Sequence, residues 1–278
     1  MNNVYIMSAN RSAIGGFGGT LKNHCPVDLG TLVAKEAIAR SGYEANEVEH
    51  AVFGNVIHTE PRDMYVSRVI ALQAGMDKAS AALTVNRLCG SGLQAIVSAS
   101  QILMLGDASV AIAGGVEVMS NGAHIVQGFR WGSRMGDGQV HDMMLGALHD
   151  PFGHGHMGIT AENISSRYQI SREMQDEFAL TSQKRAHEAI ENGNFKDQIL
   201  PIEIKTRKGI EIFEIDEHPK PETSMETLTG LRTAFKKDGV VTAGNASGIN
   251  DGASALVLAN EEKACLLYTS PSPRDSRV

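Results

Sequence analysis

Within the first 115 residues, short apolar runs repeatedly give way to a loop and then to apolar residues at helical spacing. Val4 to Met7 leads through RSAIGGFGGT to a pattern opened by Asp28, carried by Leu32, Val33, Ala37 and Ile38, and ended by Gly42. HAVFGNVI (50–57) leads through EPRDMY to VSRVIALQAG, and ALTVNRL leads to SGLQAIVSASQILMLG, with SVAIAGG (109–115) as the next strand. Such alternation predicts an α/β fold, a mostly parallel sheet flanked by helices, because parallel neighbours are joined by crossovers that cover a sheet face.

From about Ser120 to Gly248 the texture changes to loops rich in glycine, histidine and methionine, with one clear helix in SREMQDEFALTSQKRAHEAIENG. ASALVLAN (253–260) then restores the strand pattern. The expected organisation is a first domain of residues 1–119 and 249–264 with a loop domain, 120–248, inserted in it. The end of the chain, CLLYTSPSPRDSRV (265–278), breaks a helix just begun at EEKA, since proline cannot continue it. It reads as a foreign or disordered tail.

A net charge of −7 argues against nucleic acid or an anionic membrane as partner, while leaving room for a local basic pocket around an anionic ligand. Cys25, Cys89 and Cys265 have no CxxC spacing and no signal peptide before them, so neither a disulfide framework nor a zinc site is expected, and a cytoplasmic location fits. No apolar run is read as approaching the roughly 18 residues that span a bilayer. GGFGG (15–19) misses the dinucleotide-binding spacing and reads as a turn.

VNRLCGSGLQAI (85–96) places Cys89 between a strand and a helix. There the positive end of the helix dipole favours thiolate, and free amides of the first turn can hold an oxyanion. A buried cysteine is also a common small hydrophobe, so packing and chemistry both stay open on these residues.

NRLCGSGLQAI resembles the nucleophile segment of thiolases, enzymes that make or cleave 3-oxoacyl-CoA. The resemblance extends over residues 1 to about 264 through RSAIGGFGG, AGGVEVMS, RWGSRMGDG, HMGITAEN, SREMQDEFA and AFKKDGVVTAGNASGINDGASALVL. HTEPRDMY (58–65) is similar to the bacterial β-ketothiolase branch. The resemblance implies that Cys89 takes the acyl group of an acyl-CoA and releases CoA, and that acetyl-CoA then accepts it; covalent catalysis splits one hard step into two. It also implies a CoA site: His156 and Met157 at the pantetheine end, Ala243 and Ser247 beside pantetheine, Phe235 as an apolar wall, and Lys220 near the adenine. Coenzyme A and acyl-CoA are substrates here, and no permanently bound cofactor is expected. Arg130, Arg134, Lys205, Arg207 and Lys208 are further positive charges. His154 and His156 alternate without a third ligand at a recognisable spacing, so no metal site is expected.

Thiolases complete their site with a GHP histidine, a CGGG-like cysteine and an NEA asparagine in a second half, and none of these motifs occurs here. The chain therefore reads as truncated and inactive by itself, with a homo-oligomer expected of the intact enzyme. The helix beginning at Ser91 carries apolar residues around its axis and should expose an apolar patch. Another condensing enzyme of the same architecture, such as a ketoacyl synthase, and a non-catalytic CoA-binding or assembly protein are the alternative readings.

Overall fold

Each apolar run named above becomes an element of one layered unit. The computed structural model describes residues 3–132 and 134–268. Its principal strands are β1 (Val4–Ser12), β2 (His50–Gly54), β3 (Ala81–Val85), β4 (Val110–Val118), β5 (Ile199–Leu200), the hairpin pair β6 (Ile202–Thr206) and β7 (Gly209–Phe213), and β8 (Asn250–Asn260). The principal helices are α1 (Pro26–Ser41), α2 (Val66–Gln73), α3 (Ser91–Leu105), α4 (Met157–Tyr168), α5 (Arg172–Glu191) and α6 (Glu261–Tyr268). β1 runs past Met7 to Ser12 because Arg11 pairs with Ser254 of β8 and with Ile199 of β5.

Among the described residues the main sheet has seven strands in the order β5-β1-β8-β4-β2-β3, with Gly15–Gly16 paired to the start of β8. β2 is parallel to β3 and β4, and β1 is parallel to β5. β8 runs antiparallel to both β1 and β4, so the sheet is mixed. Asp251 at the start of β8 faces Val118 at the end of β4. The chain thus leaves and re-enters the sheet at one end, and a strand entering where its neighbour left must run the other way.

Both faces are covered. On one, Val27, Val33 and Ile38 of α1 and Ile70 of α2 pack with Phe53, Ile112 and Val257. On the other, Ala95, Ala99 and Leu103 of α3 meet Val52, Ala111, Ala113 and Leu258. Val257 and Leu258 take opposite faces, as successive residues of a strand do. Between β4 and β8 lie short hairpins and helices, and Ile199, Ile202 and Phe213 tie this excursion into the core beside α1.

Contrary to the expectation that no apolar run reaches membrane length, Leu88–Leu105 spans 18 residues at a mean hydropathy of 1.5. Scattered serines and glutamines hide the run by eye without lowering its average. In the fold α3 sits on the sheet by a seam of Ala95, Ala99 and Leu103, four residues apart, while Leu93, Val97, Met104 and Leu105 are exposed. Tyr5 and Ile6 of β1 extend this open apolar surface. In the tail expected at 265–278, Cys265 to Tyr268 continue α6, past the boundary read at Ala264. Residues 269–278 lie outside the described residues.

Candidate active site

At the carboxyl ends of β2, β3 and β4 a cleft of about 480 Å³ opens, the place where open α/β sheets hold ligands. Cys89, Glu117, Arg11 and Asp251 are its titratable lining groups, set among Val56, Ile57, Leu88, Met119 and Leu148.

Cys89 occupies the turn between β3 and α3, one residue before the helix N-cap Gly90, and is exposed. The turn is sharp: Leu88 has φ +48°, a left-handed conformation that costs a non-glycine residue about 1–3 kcal/mol. Ser91 holds it there. Its Oγ accepts from the Arg87 amide at 2.9 Å and donates to the Leu88 carbonyl at 2.6 Å, while the Ser91 amide donates to the same carbonyl at 2.9 Å. The N-cap is Gly90, which has no side chain to cap α3, so among the described residues the first-turn amides meet no capping side chain that would compete with an anion. At Cys25, away from this cleft, burial above all pushes the thiol up to about 12, and the Sγ accepts from the Arg62 guanidinium at 3.1 Å.

Carboxylates accepting backbone amides fix the surrounding loops. Glu117 accepts from the Val56 and Ile57 amides, each at 2.9 Å, and from Asn55 Nδ2 at 3.1 Å. Burial, with a smaller contribution from the charge of Asp63, pushes its carboxyl up to about 7 against the opposing backbone donors. Asp251 accepts from the amide and hydroxyl of Ser120 at 2.9 and 2.6 Å. Buried Glu162 accepts from the Val240 and Val241 amides at 3.0 and 2.8 Å, and Asn245 reaches the fully buried Asp176 at 2.9 Å. This pair orders the GNASG loop.

His156 is the N-cap of α4, its Nδ1 accepting from the Gly158 amide at 3.0 Å. Phe235 stacks on its ring with centroids 4.8 Å apart and planes at 21°, and His149 meets it edge-on at 5.0 Å. Burial, then the neighbouring His149, lowers the basicity of His156. His149 adjoins Leu148 of the Cys89 cleft, so the stacked pair lies on from that cleft along the chain. Lys220 and Ala243 line a second cavity of about 260 Å³ with His218 and Gln183. The structure thus brings His156 to Phe235 and Lys220 to Ala243. Met157 opens α4 and Ser247 is exposed, and neither lines either cavity. Glu117 went unnoticed in the sequence, although a glutamate inside the apolar run AGGVEVMS was its signal.

The thiolase N-terminal domain profile matches residues 4–262. The chain belongs to the thiolase family. It is 55% identical over 262 residues to the beta-ketothiolase BktB of Cupriavidus necator, covering 94% of this chain and 66% of that relative. The mitochondrial 3-ketoacyl-CoA thiolase of Bos taurus is 40% identical over 263 residues, covering 94% of this chain and 66% of that protein. Among solved structures, the Bacillus anthracis acetyl-CoA acetyltransferase superposes with a TM-score of 0.93 at 46% identity, over 98% of this chain and 68% of that one. Human mitochondrial 3-ketoacyl-CoA thiolase in complex with CoA gives 0.91 at 37% identity, over 97% of this chain and 68% of that one. This thiolase chain spans about two thirds of the length of the relatives it matches. Their names are those of thiolases and acetyltransferases, and the ketoacyl synthase alternative is not favoured.

Proposed function

We propose that this chain carries the acyl-accepting half of a CoA-dependent acyltransferase that forms or cleaves 3-oxoacyl-CoA. The supporting observation is Cys89 itself: an exposed thiol on a strained turn, at the mouth of an apolar cleft, one residue before the N-cap of a helix that has no side-chain cap. The Cys89 thiol gives up its proton to water, its sulfur bonds to the thioester carbonyl carbon of an acyl-CoA, and the carbonyl becomes an oxyanion favoured by the α3 dipole. Its collapse breaks the carbon to CoA sulfur bond, leaving an acyl-cysteine and a CoA thiolate that takes a proton. The pantetheine arm runs along His156, Met157, Phe235, Ala243 and Ser247, with Lys220 toward the nucleotide. In the complete enzyme the acyl group then passes to a second acetyl-CoA after loss of its α proton.

The chain alone is expected to make the acyl-enzyme without sustained turnover. Acetyl-CoA added to it should release one burst of CoA and leave acetyl on Cys89 by peptide mass spectrometry, with Cys25 unmodified. No burst, or one that persists in Cys89→Ala, overturns this reading; steady turnover overturns the expectation of inactivity. We also propose a homo-oligomer for the complete enzyme. β3 is an edge strand with Ala81, Ala82 and Leu83 exposed, which suits pairing with a second copy. A monomer of the full-length enzyme in sedimentation would refute it.

A further inference from the structure

We propose that Glu117 is a positioning residue whose carboxylate holds Asn55–Ile57 as a wall of the Cys89 cleft, and that protonating it loosens this wall. The proposal extends the acyl-transfer reading, which gives the wall its purpose: the apolar side chains of Val56 and Ile57 face the space beside Cys89.

After Gly54 the chain leaves the β2 ladder, so its amides need other acceptors. Glu117 supplies them from β4, beneath the cleft. Its Oε1 takes the Ile57 amide and Asn55 Nδ2, and its Oε2 takes the Val56 amide. Asn55 Nδ2 also donates to the Val116 carbonyl at 2.9 Å, so the segment is tied to two adjacent residues of β4. Immediately downstream, Asp63 Oδ2 accepts from the amides of Thr59 and Glu60 at 2.7 and 3.1 Å. Two carboxylates thus hold consecutive stretches of one loop.

An ionised carboxylate is an acceptor at both oxygens, whereas a protonated one turns part of that capacity into a donor, which cannot face an amide N–H. Gaining a proton therefore costs the wall one of its ties. The charged groups around Glu117 leave this proton to be set near neutrality. Asp63 faces it from the Pro61–Tyr65 turn and opposes its ionisation, as burial does. Arg11 of β1, the cation lining the cleft, is engaged by Asp216 at 2.8 and 3.0 Å. Asp251 of β8 is committed to Ser120, and Cys89 lies across the cleft on the turn before α3.

The test compares a bulky and a small thiol reagent, N-ethylmaleimide and iodoacetamide, at Cys89 by site-resolved mass spectrometry, since their rate ratio cancels the ionisation of the thiol itself. Between about pH 8 and about pH 6 the ratio in the unmodified chain should rise severalfold. Its midpoint should lie near 7, with the protection of the Val56 and Ile57 amides, taken relative to the intrinsic exchange rate at each pH, falling in parallel. Glu117→Gln, which offers one acceptor oxygen and does not titrate, should show a high ratio at every pH. A ratio independent of pH in the unmodified chain, or an equal inflection in Glu117→Gln, overturns the proposal. Should Glu117→Gln fold poorly, Glu117→Asp keeps a titrating carboxylate and should keep an inflection; a flat profile in that variant is equally fatal. None of these readouts needs acyl-CoA, so an absent CoA burst would remove the acyl-transfer reading while leaving this one intact.

Discussion

Gly54, the last residue of β2, lies so close to Ser91 at the start of α3 that a β-carbon on it would stand 2.7 Å from the Ser91 carbonyl carbon. That carbon belongs to backbone and cannot swing aside. Gly54→Ala must therefore push α3 off the sheet at the end that carries Cys89. Such overpacking costs about 1–3 kcal/mol. Denaturant unfolding should show that loss, and alkylation of Cys89 should slow relative to Cys265. A variant as stable as the parent, with Cys89 unchanged, would mean that the helix start does not need this contact.

Ser91 locks the turn through a hydroxyl that both accepts and donates. Ser91→Ala leaves the Arg87 amide without its acceptor while Leu88 stays in its costly conformation. The expected loss is about 1–3 kcal/mol, the penalty of an unsatisfied amide. Fraying of the turn should also slow alkylation of Cys89 relative to Cys265. Equal melting temperatures for Ser91→Ala and the parent would count against the lock.

The alternation of strand and helix was readable because each element is apolar on the face that its layer needs, and the sequence period records that face. Val52 and Phe53 pack against opposite faces of β2, and both were visible as part of HAVFGNVI. The direction of β8 was not readable. Direction depends on which end of the sheet the 119–249 excursion returns to, and no local period encodes that. Cys89 stood out because it falls at a strand-to-helix junction with glycines around it. Glu117 was overlooked for the opposite reason: its partners are backbone amides of Val56 and Ile57, some sixty residues away, and amides leave no mark in a sequence. His156 and Phe235 were named through resemblance, whereas their stacking is a tertiary fact.

That stacking depends on Gly158. A β-carbon there would stand 2.3 Å from the Phe235 ring, closer than any side chain tolerates. Gly158→Ala should force the ring off His156 and lose about 1–3 kcal/mol of stability. Its sharper signature is in ligand binding: with the pair serving as the CoA wall proposed above, CoA affinity by calorimetry should fall, while iodoacetamide modification of Cys89, which does not involve this ring pair, should keep its rate. Parallel losses in both would indicate general unfolding of the site instead.

His156 gives the fold a pH dependence whose sign follows from its environment. Burial and the neighbouring His149 hold its imidazole below the ordinary value of 6.5 in the folded chain. Below that value the unfolded chain binds a proton that the folded chain resists, so stability is complete above it and declines as pH falls through the window toward the folded value. The raised carboxyl of Glu117 acts oppositely, losing stability as pH rises from the usual carboxylate range toward about 7. A bare melting curve therefore mixes the two, and a variant is needed to separate them. His156→Asn keeps a side-chain acceptor at the N-cap and removes the titration. Between about pH 7.5 and about pH 5.5 the parent should lose more melting temperature than His156→Asn, and the gap should open below about 6.5. Parallel curves across that range would show that the stacked ring carries its proton equally well in both states.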